Sequence, residues 1–215
     1  MPPSLTTAEI LTLRPPAFAP LRRQFVRSVR LAAKGDVTAA RLAFDSLDAD
    51  ALSFWFHLTA QNAGRERAAI VERLHGATSR PGTVGRDTQR MPSESKKLKI
   101  LDRDGHLCRY CGSPLLYGKD FRKLLDIIGV GQSVLGRTNL TTHGTKFLHY
   151  ATFDHVHPHA DSGSSSDENI VSACYACNFG KSTYTLDELA MDEPVLGRFR
   201  QDKSWSRIVR SLKEL

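Results

Sequence analysis

The chain has 215 residues, 40% hydrophobic and 25% charged, a globular composition with room for one ordinary domain and a smaller unit. No stretch approaches the roughly 20 apolar residues that span a bilayer, and Met1 to Thr7 lacks the basic start and apolar run of a secretory signal, so the expectation is a cytoplasmic protein without membrane contact. A formal charge of +7 favours an anionic partner, nucleic acid first among them.

Residues 1–76 read as a helical N-terminal region of unknown role, open to dimerisation or to a protein partner. Pro15, Pro16 and Pro20 close an opening segment, after which Leu21 to Ala33 can run as a helix. Asp36 is a suitable N-cap for a second helix, and Asp48 or Asp50 for a third carrying Leu52, Trp55, Phe56 and Leu58; Arg65 to Leu74 would be a fourth. On the first helix Arg23, Arg27, Arg30 and Lys34 recur on one face, with Leu21, Phe25, Val29 and Ala32 on another. Such a stripe can track phosphates, but the favoured reading is the solvated face of a bundle helix.

Residues 77–95 are rich in Gly, Pro, Ser and Arg and read as a basic linker. Ser93 or Ser95 then caps a helix through Lys97 to Leu101 that ends at Asp104-Gly105 and delivers the chain to Cys108. In the next unit, 96–190, the segment 112–150 holds a helix from Asp120 to Ile128 and a Gly/Thr-rich loop from Gly129 to Thr145. Phe147 to Phe153 has strand character and ends at Asp154-His155; a polar turn and a second strand, Asn169 to Ser172, lead into a helix starting near Cys174. Residues 191–215 form a basic helical tail.

All four cysteines stand in C-x-x-C pairs, Cys108/Cys111 and Cys174/Cys177. A reducing compartment argues against disulfides, and a thioredoxin-like site would need one pair, so a tetrahedral zinc on all four is the expectation. Asp154 suits a hard metal, His155 a general base (an unperturbed imidazole titrates near ~6.5), and Asn178 can add an oxygen ligand. Oxygen ligands with positions left to water or phosphate suit Mg2+ or Mn2+. Lys181, one helical turn beyond Asn178, is placed to hold a phosphate, and the Asn169 amide to fix the loop carrying His155. Together these residues point to phosphodiester hydrolysis, with zinc bracing the start of the catalytic helix.

Arg103 to Gly112, then Asp154-His155-Val156-His157-Pro158, Asn169, and Cys174 to Lys181 resemble an HNH endonuclease. The resemblance implies an α+β chain with a ββα-metal core. It makes His155 the general base, Asn169 the central N, and Asp154 the acidic metal ligand. Asn178 stands where the last H often falls, giving an H-N-N variant that leans toward Mg2+. His157 and His159 are expected to contact phosphate or to support the site indirectly, while His143, His149, Tyr110 and Trp205 are expected to be structural. The leading expectation is a metal-dependent DNA endonuclease. The alternatives are an RNA-cleaving relative and a zinc-braced nucleic-acid-binding module without activity.

Overall fold

A computed structural model describes residues 18–56, 72, 90–189, 191, 193–194 and 203–215. The opening prolines Pro15 and Pro16, the expected helix Arg65 to Leu74 apart from Glu72, and most of the linker lie outside the described residues, as does the side chain of Trp55.

Helix α1 spans Phe18–Ala33, starting three residues before the expected Leu21. Pro20 falls in its first turn, where no intrahelical N–H is needed. Helix α2, Val37–Asp45, is capped as expected by Asp36, which accepts from the Ala39 N–H at 3.1 Å. For α3, Ala49–Phe56, the cap is Asp48 rather than Asp50, accepting from the Ala51 N–H at 2.9 Å. Helix α4, Glu94–Arg103, starts at the Ser93 cap. It ends in a turn where Gly105 and His106 both take positive φ, sending the chain back toward Cys108. Helix α5 is Lys119–Ile127.

One sequence expectation is corrected. Phe147 to His149 are not strand but the end of a short helix α6, Gly144–His149. The His143 imidazole caps it by accepting from the Thr145 N–H at 3.3 Å. Gly144 lies so close to α3 that a Cβ there would meet the Ala49 carbonyl oxygen at 2.0 Å. An apolar run this short suits either element, and long-range packing decides it.

Strand β1, Ala151–His155, pairs antiparallel with β2, Ile170–Cys174, and α7, Tyr175–Lys181, follows directly. In the ladder Ala151 faces Cys174 and His155 faces Ile170. Helix α8, Lys203–Glu214, makes the helical tail. The result is an α+β chain with a two-stranded sheet and helices at its N-terminal side.

Two apolar cores hold these elements. One packs Leu52 and Phe56 of α3 with Leu101, Phe147, Phe153 and the cysteines, and the third helix sits against α6 and the aromatic rings of α7. The other joins α1 and α2 to α5 and α8 through Phe25, Val29, Phe44, Phe121, Trp205 and Leu212. Trp205 is buried and its indole N–H donates to the His106 carbonyl at 3.0 Å. Among the described residues no helix is long and apolar enough to cross a membrane.

Candidate active site and cysteine cluster

The α4 turn, β2 and α7 bring the two C-x-x-C pairs together. The sulfurs of Cys108, Cys111, Cys174 and Cys177 are all buried, unbonded to one another and within 4.8 Å of each other. A tetrahedral Zn–S length of about 2.3 Å puts sulfurs about 3.8 Å apart, and Cys111 and Cys174 are 3.9 Å apart. Hydrogen bonds from the other three sulfurs hold the Cys111 thiol well below its ordinary range. Burial pushes Cys174 well up, and the sulfur hydrogen bonds do the same to Cys177. Such a set cannot carry four thiolates without a soft cation among them, so the donors fit zinc. The knuckle is tied down by the Arg109 N–H on the Ser172 carbonyl at 2.9 Å, and by Arg22 of α1, whose guanidinium donates to the Cys111 carbonyl at 2.8 Å.

At the other end of the hairpin a cavity of about 290 Å³ opens between β1 and α7. Asp154, His155, His159, Asn178 and Phe179 line it, with Arg90 at the side. Asp154 and His155 are consecutive strand residues, yet both reach the cavity because the strand ends there before the turn at Pro158. Asp154 Oδ2 accepts from the Tyr110 hydroxyl at 2.7 Å and pairs with the Lys181 ammonium at 3.2 Å. Burial pushes the Asp154 carboxyl up, while Lys181 and Tyr110 pull it back. A carboxylate offers about four lone-pair sites, so capacity remains for a cation. The Asn178 amide nitrogen donates to Thr152 Oγ1 at 3.0 Å and to the Phe153 carbonyl at 3.2 Å, which leaves Oδ1 as its acceptor. One carboxylate and one amide oxygen fit a hard cation that keeps water and phosphate as its other ligands.

The Lys181 side chain is fully buried, which corrects the expectation that it holds a phosphate. Besides pairing with Asp154, its ammonium donates to the His155 carbonyl at 2.8 Å, so it clamps the Asp-His dipeptide from inside. Asn169, expected to open the second strand, lies in the turn just before β2. Its Oδ1 accepts from the His157 N–H at 2.7 Å, and its Nδ2 donates to the His157 and Ser164 carbonyls at 2.9 and 2.7 Å.

Sequence reasoning missed Ser165 and undervalued Tyr110 and His159. Tyr110 is buried as expected, but its hydroxyl also serves Asp154. Ser165 Oγ lies 3.2 Å from His155 Nε2 and donates to the Arg90 carbonyl at 3.2 Å. The Ser165 hydroxyl thus bridges the His155 imidazole and the Arg90 carbonyl. His159 lines the cavity with its ring centroid 5.3 Å from that of His155, whereas His157 points away and contacts the Asp161 carbonyl. Period-two histidines near Pro158 were the only available signal. His149 is structural: it stacks on Phe25 at 3.8 Å, and burial lowers its pKa to about 3.

Residues 141–183 match the family model described as HNH endonuclease. The match spans α6, the hairpin and α7, and stops short of Cys108 and Cys111. No curated protein and no solved structure matches the chain.

Proposed function

We propose, from the match of residues 141–183 to the HNH endonuclease family model, that the protein is a metal-dependent endonuclease hydrolysing phosphodiester bonds in DNA. The observation that carries this reading is the single cavity shared by Asp154, His155 and Asn178. His155 takes the proton of the attacking water, acting through the nitrogen not bound to Ser165. Asp154 and Asn178 would hold Mg2+ or Mn2+, which would supply charge neutralisation for the phosphate oxygens and the departing 3′ oxygen. Lys181 and Tyr110 fix the Asp154 carboxylate, and Asn169 fixes the turn behind His155. In this H-N-N reading the four cysteines bind structural zinc, residues 96–190 form the nuclease unit with 112–150 as its insertion, and 1–76 and 191–215 flank it. One cavity cuts one strand at a time, so duplex cleavage needs a second copy or a second encounter.

A second reading is favoured by the His155–His159 pair in the same cavity. Two imidazoles can serve as base and acid for RNA, whose 2′-hydroxyl is an internal nucleophile. The test is cleavage of supercoiled plasmid and of single-stranded RNA, with and without Mg2+, by wild type and His155→Ala. Mg2+-dependent plasmid nicking that the variant lacks is the expected result. Metal-independent, His155-dependent RNA loss without nicking would select the second reading. Cleavage of neither substrate would overturn both.

A further inference from the structure

We propose that the exposed face of α1 is a docking surface for the phosphate backbone of nucleic acid. The proposal rests on the nuclease reading and gives the N-terminal helices a part in it.

Helix α1 has 16 residues, none of them acidic. Arg23, Arg27, Arg30 and the following Lys34 are all exposed. At about 100° per residue they fall within an arc of about 60°, and at about 1.5 Å per residue they extend over roughly 16 Å. None of the four forms an ion pair with a described residue, whereas Arg41, Lys96, Lys97 and Lys213 are each matched with a carboxylate. A merely solvated face ordinarily mixes both signs; among the described residues this one is uniformly positive and meets no carboxylate.

The stripe is also held rigidly. On other faces of the helix Arg22 grips the Cys111 carbonyl at 2.8 Å, Phe25 stacks on His149, and Val29 and Ala32 are buried in the core. The cations therefore ride on the same body as the catalytic cavity. Helix α8 packs against α1 and adds Arg207 and Arg210, exposed and without a carboxylate partner among the described residues. An anionic lipid surface is a poorer fit, because a helix lying in a bilayer interface must insert its apolar face, and here that face is used up inside the protein.

Phosphate contacts of this kind release counterions, so affinity falls with salt at a slope near ~0.9 per contact. The experiment measures binding of a labelled duplex of about 20 base pairs by anisotropy, from about 50 to about 200 mM salt. The full chain carries His155→Ala to prevent cleavage. Adding Arg23→Gln, Arg27→Gln and Arg30→Gln should lower the log–log slope by about 2–3, and Arg27→Gln alone by about 1, with helicity and zinc content unchanged. An unchanged slope and affinity in the triple variant overturns the docking surface and leaves the nuclease reading standing. A parent protein that binds no duplex at all overturns both. Preserved duplex binding in the triple variant together with lost binding to anionic vesicles would move the stripe to a membrane role and overturn the proposal.

Discussion

The β1–β2 hairpin carries a polar cluster at each end, and the two are built on opposite principles. Beside Cys174 four sulfurs are enclosed, within 4.8 Å of one another, with the Ser113 hydroxyl against Cys111 and the Cys177 N–H on Cys174. At the far end, roughly 13 Å along the strand, an acid, an imidazole and an amide open onto a cavity of about 290 Å³. The first set is soft, complete and closed to water, as a structural metal site requires. The second has hard oxygens, too few to saturate a cation, and space for a substrate. Closure suits a structural centre, and open coordination would suit a reactive one. Helix α7 serves both, presenting Cys177 to one and Asn178 to the other.

The sharpest way to break this contrast is to damage each end separately. Structural zinc in small units is worth about 10–16 kcal/mol of apparent binding, so Cys174→Ser should lower bound zinc and the melting temperature together. Metal analysis that finds unchanged zinc in that variant refutes the four-cysteine site. At the open end, His155→Ala should cut cleavage about 10²–10⁴-fold with zinc content and melting temperature intact. A variant as active as wild type would sink the base assignment.

Lys181 tests the boundary between the two behaviours. It is buried beside Asp154, and removing one partner of a buried pair costs about 3–5 kcal/mol. Lys181→Met should therefore lower stability in denaturant titration by about that amount. A variant of normal stability whose only defect is a raised KM would mean that the ammonium reaches substrate after all.

A smaller effect follows pH. His149 is held neutral by burial, its folded pKa of about 3 lying below the unfolded value of 6.5. The unfolded chain binds the extra proton first, so this contribution is intact above the unfolded pKa and is lost as pH falls from there toward the folded pKa. At pH 5 the loss is about 2 kcal/mol. Thermal melts of His149→Gln should lack that part of the acid slope; an identical slope would place the sensitivity elsewhere. The smallest effect is expected from Asn169→Ala, which removes the amide contacts that brace the post-β1 turn. About 1 kcal/mol of stability should go with a fall in kcat, while zinc is retained. Unaltered turnover would reduce Asn169 to a turn former.

Much of this was readable before any coordinates, where the causes are local. Asp36 and Ser93 cap the helices assigned to them because a side chain and the N–H three residues on are brought together by the helix itself. The cysteine spacing foretold the knuckle for the same reason, since a C-x-x-C turn presents two sulfurs to one point. The Asn169 amide braces the chain just beyond His155, and its contacts with the His157 backbone stay within one loop. Phe147 to His149 were misread, since their helix depends on Gly144 fitting against Ala49, 95 residues earlier (144 minus 49).

What the sequence by itself determined, then, is the inventory and its order: two cysteine pairs, an Asp-His pair, an asparagine after the turn, and a helix bearing Asn178. Short-range geometry fixes how such residues are presented, so spacing alone conveys it. The tertiary structure decided which groups face the cavity and which face inward. It buried Lys181, set Tyr110 on Asp154 from 44 residues away, and joined His155 through Ser165 to the Arg90 carbonyl. Those contacts depend on how separate elements pack and on which polar groups the packing removes from water, and no periodicity along the chain records either.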